Sequence, residues 1–339
     1  MAVVGALGLV ACTSGGSARS AHRTGSGSEG VGAVAAHGST GCQTAARAAP
    51  GEEKVTLTSG GAERWYFRHV PYDGIKPMPV VLDLHGYSEG AVVHTKMSGL
   101  GTFGEAHGFV TITPQGQGAV ARWDTALGST DLTFVGDLLD HVESTLCVDT
   151  NRVFVTGLSN GAFMTSAIAC AYADRIAAVA PVAGVRDIEG CKPARKVPVV
   201  AFHGTADGFV AFDGGLGDKV ASLPAPDGSG KTLGESGLLS TSEAKGPSIP
   251  EIVARWAKRN GCAAKPSQHT VAPDVVRVSY DCPGAADVQL YRVEGGGHSW
   301  PGSPFSTAVE SVIGPTTTSI SADEVMWAFF EAHPLRRAA

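Results

Sequence analysis

Val153-Phe154-Val155-Thr156-Gly157-Leu158-Ser159-Asn160-Gly161-Ala162-Phe163-Met164 sets an apolar, β-branched run against G-x-S-x-G, and an Ala-rich, helix-compatible segment follows. A strand, a sharp turn and a helix in that order are the sequence form of a nucleophile elbow. Glycine is expected beside so tight a turn, here Gly157 and Gly161. Ser159 at the apex is then held in a strained pose with its hydroxyl exposed. The N–H of Asn160 points into the same space. In a chain with 45 glycines the motif alone is weak. The strand before it and the helix after it separate it from an ordinary Gly/Ser turn.

Reading outward, apolar strands alternate with helical segments. Val55–Leu57 and Trp65–Val70 flank Ser59-Gly60-Gly61 and read as a hairpin. Pro79–Leu84, Phe109–Pro114, Ile176–Val182 and Val197–Phe202 are near-continuous apolar runs, as strands buried on both faces should be. Asp131–Leu146 has helical spacing, and Ile249–Asn260 is a helix with Pro250 near its start. Val275–Tyr280 and Val288–Val293 are strands. Ser321 with Glu324 fits a capping box at a final helix. The pattern predicts an α/β fold: a mostly parallel central sheet, helices on both faces and an antiparallel N-terminal edge. Residues 213–248, rich in Gly, Ser and Pro, read as a surface loop or lid.

The 339 residues are 43% hydrophobic and 17% charged, which suits a globular body with a sizeable core. The net charge of −6 and the lack of a basic stripe argue against a nucleic-acid partner. Met1–Ala11 is apolar and Cys12 follows, so residues 1–12 resemble a signal with a lipobox, although a positive n-region is missing. Cys12 is therefore the candidate lipidation site and membrane anchor, with a cleaved signal peptide as the alternative. Residues 13–41 read as a flexible Gly/Ser/Ala linker, and residues 42–335 as a single domain. Six further cysteines in an exported chain suggest disulfides. Nearness along the chain favours Cys170–Cys191 and Cys262–Cys282, which leaves Cys42–Cys147. No C-x-x-C pair occurs, which argues against a zinc ribbon or a thioredoxin-type site.

A serine hydroxyl needs a base, and histidine oriented by a carboxylate is the usual one. In α/β sheets of this kind the chain order is Ser, then Asp or Glu, then His. Ser159, Asp207 and His298 fit that order, each just past a strand, where ligands bind in open α/β sheets. Asp213, in a turn-like Phe-Asp-Gly-Gly, is the rival carboxylate. His85 and His203 precede strand-end glycines and read as loop fasteners. His94, His107 and His141 read as surface or core fillers, and Asp83 lies inside a strand ahead of the serine. A tetrahedral oxyanion needs two N–H donors; those of Asn160 and Tyr87 are the candidates. Trp123, Trp300 and Phe209 are the aromatic residues expected around a cleft, where an aromatic acyl group or a polymer chain would stack.

Leu84-His85-Gly86, Gly157–Gly161, His203-Gly204-Thr205-Ala206-Asp207 and Gly296-Gly297-His298-Ser299-Trp300-Pro301 together resemble the secreted polyhydroxybutyrate depolymerase and feruloyl esterase group of α/β-hydrolases. That group includes the LpqC-like lipoproteins and is related to family 1 carbohydrate esterases. The similarity runs from about Cys42 to His333, and Cys147–Val153 shares it. The resemblance implies the α/β-hydrolase fold and ester hydrolysis through an acyl-serine, with no metal or cofactor. It gives Ser159, Asp207 and His298 the roles of nucleophile, orienting acid and base. Two positions depart: Ala162 replaces a common glycine, and Tyr87 stands where several depolymerases have cysteine. The expected substrate is a polymeric or oligomeric acyl ester, acted on outside the cytoplasm by a monomer. A serine peptidase on the same fold and a non-catalytic glycan-binding lipoprotein are the alternatives.

Overall fold

The computed structural model describes residues 34–44, 48–72, 76–238 and 246–336. The lipobox-like segment with Cys12, and residues 13–33 of the expected linker, lie outside the described residues. The strands are β1 (Gly51–Ser59), β2 (Ala62–Val70), β3 (Met78–Leu84), β4 (Val110–Pro114), β5 (Val148–Leu158), β6 (Ala178–Val182), β7 (Val199–Gly204), β8 (Ser267–Ala272), β9 (Val275–Tyr280) and β10 (Val288–Val293). The helices are α1 (Gly41–Thr44), α2 (Gly90–Ser98), α3 (Leu100–His107), α4 (Thr130–Thr145), α5 (Asn160–Ala171), α6 (Leu233–Ser236), α7 (Ile249–Asn260), α8 (Pro304–Ala308), α9 (Glu310–Ile313) and α10 (Ala322–Ala332).

Every residue of β3, β4, β6 and β7 is buried. Successive strand side chains point to opposite faces, so such strands need cover on both. Val80, Leu82 and Leu84 of β3 join Val153 and Val155 of β5 in a core shared with α4, α5 and α7. Their neighbours Val81 and Phe154 join the opposite core, with Met97 of α2, Leu100 of α3 and the aromatic face of α10. Phe154 and Phe330 stack there, ring centroids 4.5 Å apart. Asp83 shares the parity of Val81, so the alternation aims a carboxylate into this second layer.

The strand order is β1-β2-β4-β3-β5-β6-β7-β10-β9-β8. From β4 to β10 the pairings are parallel. The hairpin β1–β2 forms the expected antiparallel edge against β4. A second antiparallel margin, β9 and β8, extends the sheet beyond β10. The sequence pattern did not announce β8: Ser267–Ala272 is polar and largely exposed, and pairing with β9 rather than an apolar face makes it a strand.

The linker expectation needs one correction. Residues 35–41 are fastened to the body, because the chain pairs beside the start of β5. Ser39 N–H donates to Val148 O at 2.9 Å and its hydroxyl to Leu146 O at 2.7 Å. The His37 N–H donates to Asp149 Oδ1 at 2.9 Å. The Cys42–Cys147 disulfide closes the same contact, and Cys170–Cys191 and Cys262–Cys282 pair as chain proximity suggested.

Cys42–Cys147 spans a sequence separation of 105 residues, so it restricts the unfolded chain most. Replacing both cysteines by alanine is expected to lower the unfolding free energy by about 2–5 kcal/mol. Urea denaturation without reductant checks this, and an unchanged midpoint would contradict it.

Candidate active site

The elbow is built by crowding. Ser159 joins β5 to α5 with φ 58° and ψ −117°, a left-handed pose for a non-glycine residue. Such a residue costs about 1–3 kcal/mol and persists only where its surroundings over-determine it. Here they do: Ser159 N–H donates to Val182 O at 2.9 Å, and its carbonyl accepts from Phe163 N–H at 3.0 Å. The flanking glycines serve by leaving room rather than by unusual torsions. A Cβ on Gly157 would sit 2.7 Å from Leu84 O, and one on Gly161 only 2.1 Å from it. Ser159 itself stays partly exposed.

Because β5, β7 and β10 run parallel, their C-terminal ends share one edge of the sheet. Asp207 follows β7, and His298 follows β10 through Gly295–Gly297. Crowding recurs there: a Cβ on Gly204 would lie 2.1 Å from Gly296 O, and one on Gly297 2.5 Å from Ile313 O. The His298 N–H donates to Ile313 O at 2.8 Å, which pins the loop. His298 Nδ1 lies 2.8 Å from Asp207 Oδ2. Asp207 Oδ1 accepts from the N–H groups of Phe209 and Val210 at 2.8 and 2.9 Å. A proton on Nδ1 satisfies the carboxylate and leaves Nε2 of a neutral ring as acceptor. Asp213, the rival, is exposed.

Burial by itself would raise the Asp207 pKa. The His298 charge and the hydrogen bonds from His203 and His298 outweigh that and hold the carboxyl well below its usual range. His203 Nε2 lies 2.9 Å from Val210 O and 3.3 Å from Asp207 Oδ2. It fastens the loop, as its place before a strand-end glycine suggested.

On the other side of Ser159, β3 ends in His85-Gly86-Tyr87. His85 Nε2 accepts from Gly116 N–H at 2.8 Å, so Nδ1 carries the proton and donates to Gly86 O at 2.7 Å. Burial pushes His85 down to about 4, keeping it neutral in that role. A Cβ on Gly86 would be 3.6 Å from Ser159 Cβ, so this loop lies directly against the elbow. Among the described residues, neither the Tyr87 N–H nor the Asn160 N–H donates to a protein acceptor. The Asn160 side chain is occupied: its Oδ1 accepts from Trp123 N–H at 2.7 Å and its Nδ2 donates to Trp123 O at 3.1 Å.

No family model matches the chain. Among curated relatives, "Probable feruloyl esterase C" of Aspergillus oryzae is 30% identical over 228 residues, 62% of this chain and 82% of that protein. The chain belongs to the feruloyl esterase family. "Feruloyl esterase B" of Piromyces equi is 32% identical over 174 residues; the match covers 50% of this chain but only 29% of that longer protein. The solved structure of an acetyl xylan esterase from Aspergillus awamori shares the fold, with TM-score 0.53 and 15% identity over 82% of this chain and 99% of that one. The sheet is that of an α/β-hydrolase.

In this feruloyl esterase family member, two of the three aromatic side chains expected around a cleft are core. Trp300 is 0% exposed, and its Nε1 donates to Asp323 Oδ1 at 2.8 Å. Trp123 is 3% exposed, donates from Nε1 to His85 O at 2.9 Å and lies beside the His85 ring. Sequence alone does not separate an aromatic residue that lines a cleft from one that braces its loops. Phe209 is 8% exposed, its ring centroid 5.0 Å from that of His298. The expected lid is described over 213–238 and 246–248; residues 239–245 lie outside the described residues. It is tied down at several points. Tyr87 donates its hydroxyl to Pro224 O at 2.8 Å, and Lys219 Nζ donates to Val312 O at 2.6 Å. Beside the elbow helix opens a cavity of about 730 Å³, walled by Leu127, Phe163, Arg186, Ile188 and Leu216.

Gly161→Ala forces a methyl group against Leu84 O and is expected to cost about 1–3 kcal/mol of stability or more, read by thermal unfolding. Asp207→Asn is expected to cost about 1–3 kcal/mol at neutral pH by weakening the hydrogen bonds that the buried carboxylate accepts. Because the folded pKa of Asp207 is depressed, its contribution is complete above the unfolded value, about 3.9, and is lost as pH falls towards the folded value. The gap between wild type and variant should therefore close on acidification below about pH 4. A gap that stays constant from neutral pH to pH 2 would contradict the assignment.

Proposed function

We propose that the chain hydrolyses carboxylic esters through an acyl-serine intermediate. The observation that carries this reading is the 2.8 Å contact between His298 Nδ1 and the buried Asp207 carboxylate. It lies on the sheet edge where Ser159 is held in a strained, partly exposed pose. Nε2 of the oriented imidazole takes the Ser159 Oγ proton as Oγ bonds to the ester carbonyl carbon. The electron pair displaced onto the carbonyl oxygen is met by the Tyr87 and Asn160 N–H groups. Collapse breaks the bond to the alcohol, which leaves with the proton from His298. Water repeats the sequence to release the acid and restore Ser159. Among the described residues Ser159 and His298 share no hydrogen bond; such contacts commonly tighten only when substrate is bound.

The substrate class proposed is an acyl ester of a polysaccharide, feruloyl or acetyl, or a short-chain polyhydroxyalkanoate. Membership of the feruloyl esterase family supports the first. Phe209 stands next to the proposed base. We propose a monomer acting outside the cytoplasm, a location that three disulfides favour. The membrane anchor at Cys12 belongs to the same proposal.

The test is turnover of p-nitrophenyl acetate and butyrate, methyl ferulate, 3-hydroxybutyrate oligomers and a peptide anilide, each beside Ser159→Ala and His298→Ala. Each variant is expected to lower kcat by at least about 10⁴-fold with little change in melting temperature. Turnover retained by Ser159→Ala would refute the nucleophile, and anilide cleavage without ester cleavage would favour a peptidase.

A further inference from the structure

A second histidine–carboxylate cluster lies under the loop that borders Ser159. Asp83 is aimed by strand parity into the layer of α2, where it is 0% exposed, as is His94. His94 Nε2 lies 2.7 Å from Asp83 Oδ1, and Ser98 donates its hydroxyl to Asp83 Oδ2 at 2.6 Å. On the other side of the ring, Nδ1 lies 3.2 Å from both Glu89 oxygens. A ring with a carboxylate at each nitrogen donates from both, which only imidazolium does. Burial opposes that charge, but Asp83 and Glu89 overcome it and hold His94 up at about 10.

Glu89 is the member that reaches the site. It stands at the N-cap of α2 yet makes no side-chain cap bond to that helix. Its Oε2 instead turns back and accepts from the Gly86 N–H at 2.6 Å. The Glu89 N–H donates to Gly86 O at 3.3 Å, and His85 Nδ1 donates to the same oxygen at 2.7 Å. The peptide unit carrying that oxygen also carries the Tyr87 N–H, and a planar trans peptide fixes the one direction once the other is held.

We propose that Glu89, clamped by His94 and Asp83, is a positioning residue: its carboxylate holds the Gly86 N–H and so fixes the Gly86 backbone, whose next peptide presents the Tyr87 N–H to the oxyanion. This inference rests on the ester-hydrolase reading. Its chemistry is that of a buried, charge-assisted hydrogen bond on each side of the imidazolium, which holds the carboxylate in one place. Among the described residues, no group of three His, Cys, Asp or Glu side chains is arranged to hold a metal ion. With both ring nitrogens occupied, the cluster acts as a strut.

The test uses the full chain with p-nitrophenyl butyrate, and phenylboronic acid as a mimic of the tetrahedral adduct on Ser159. Loss of one oxyanion donor costs about 10²–10³ in kcat. Glu89→Ala is accordingly expected to lower kcat by about 10²-fold with KM within about twofold, and to weaken phenylboronic acid by a similar factor. Glu89→Gln keeps an acceptor for Gly86 but sets an amide against the imidazolium, so a loss of about tenfold is expected. A melting scan accompanies each variant. If Glu89→Ala does not fold, Glu89→Gln decides alone: parallel losses of kcat and boronate affinity support the proposal. Unchanged kcat with a lowered melting temperature overturns it and leaves a structural role only. A wild type without turnover that depends on Ser159 overturns the ester-hydrolase reading and this inference together. Turnover that depends on Ser159 but ignores Glu89 overturns this inference alone.

Discussion

The site depends on one close approach: the backbone of Gly157 and Gly161 against the carbonyl of Leu84. No side chain fits between them, since a methyl group at Gly161 would lie 2.1 Å from that oxygen. The contact joins the C-terminal ends of β3 and β5. It brings His85-Gly86-Tyr87 beside Ser159, and with it the left-handed serine backbone.

Charge inside this fold is handled by pairing. Asp207 and Asp83 are both carboxylates beside histidine near strand C-termini, but their settings differ. Asp207 receives two backbone N–H bonds and lies beside one nitrogen each of His203 and His298, so the other nitrogen of His298 is left for chemistry. Asp83 and Glu89 occupy both nitrogens of His94, and no atom of that ring is left over. The first arrangement can pass a proton; the second can only hold its shape. A third acid in the same layer, Asp323, is pushed up to about 7, first by burial and then by nearby carboxylates including Asp83, despite the hydrogen bond from Trp300. Trp300 thus bridges α10 to the layer that holds the loop beside Ser159, as a brace rather than as part of a cleft.

The loops carry as much of the order as the sheet. His85 bonds Gly116, Trp123 bonds His85, and Asn160 grips both ends of the Trp123 backbone. This ring of contacts ties the segment after β4 to the elbow. The tyrosine at position 87 extends the same ring outward to Pro224, linking the backbone beside the serine to the segment that overhangs it.

Much is legible in the sequence. The elbow turn, the parallel core and two of the disulfide pairs follow from local patterns: glycine spacing, runs of apolar residues, and cysteines near one another in the chain; the third pair, Cys42–Cys147, is what those two leave. Such patterns work because they report short-range sterics and two-sided burial, which the chain carries residue by residue. Tertiary structure alone decided the rest. It made β8 a strand, fastened residues 35–41 to β5, and moved Trp123 and Trp300 from an expected cleft into the core. It also turned His94 from a surface or core filler into a buried imidazolium between Asp83 and Glu89. Each of these depends on which side chains meet across elements, and one-dimensional periodicity tells only that a residue is buried, never what it is buried against.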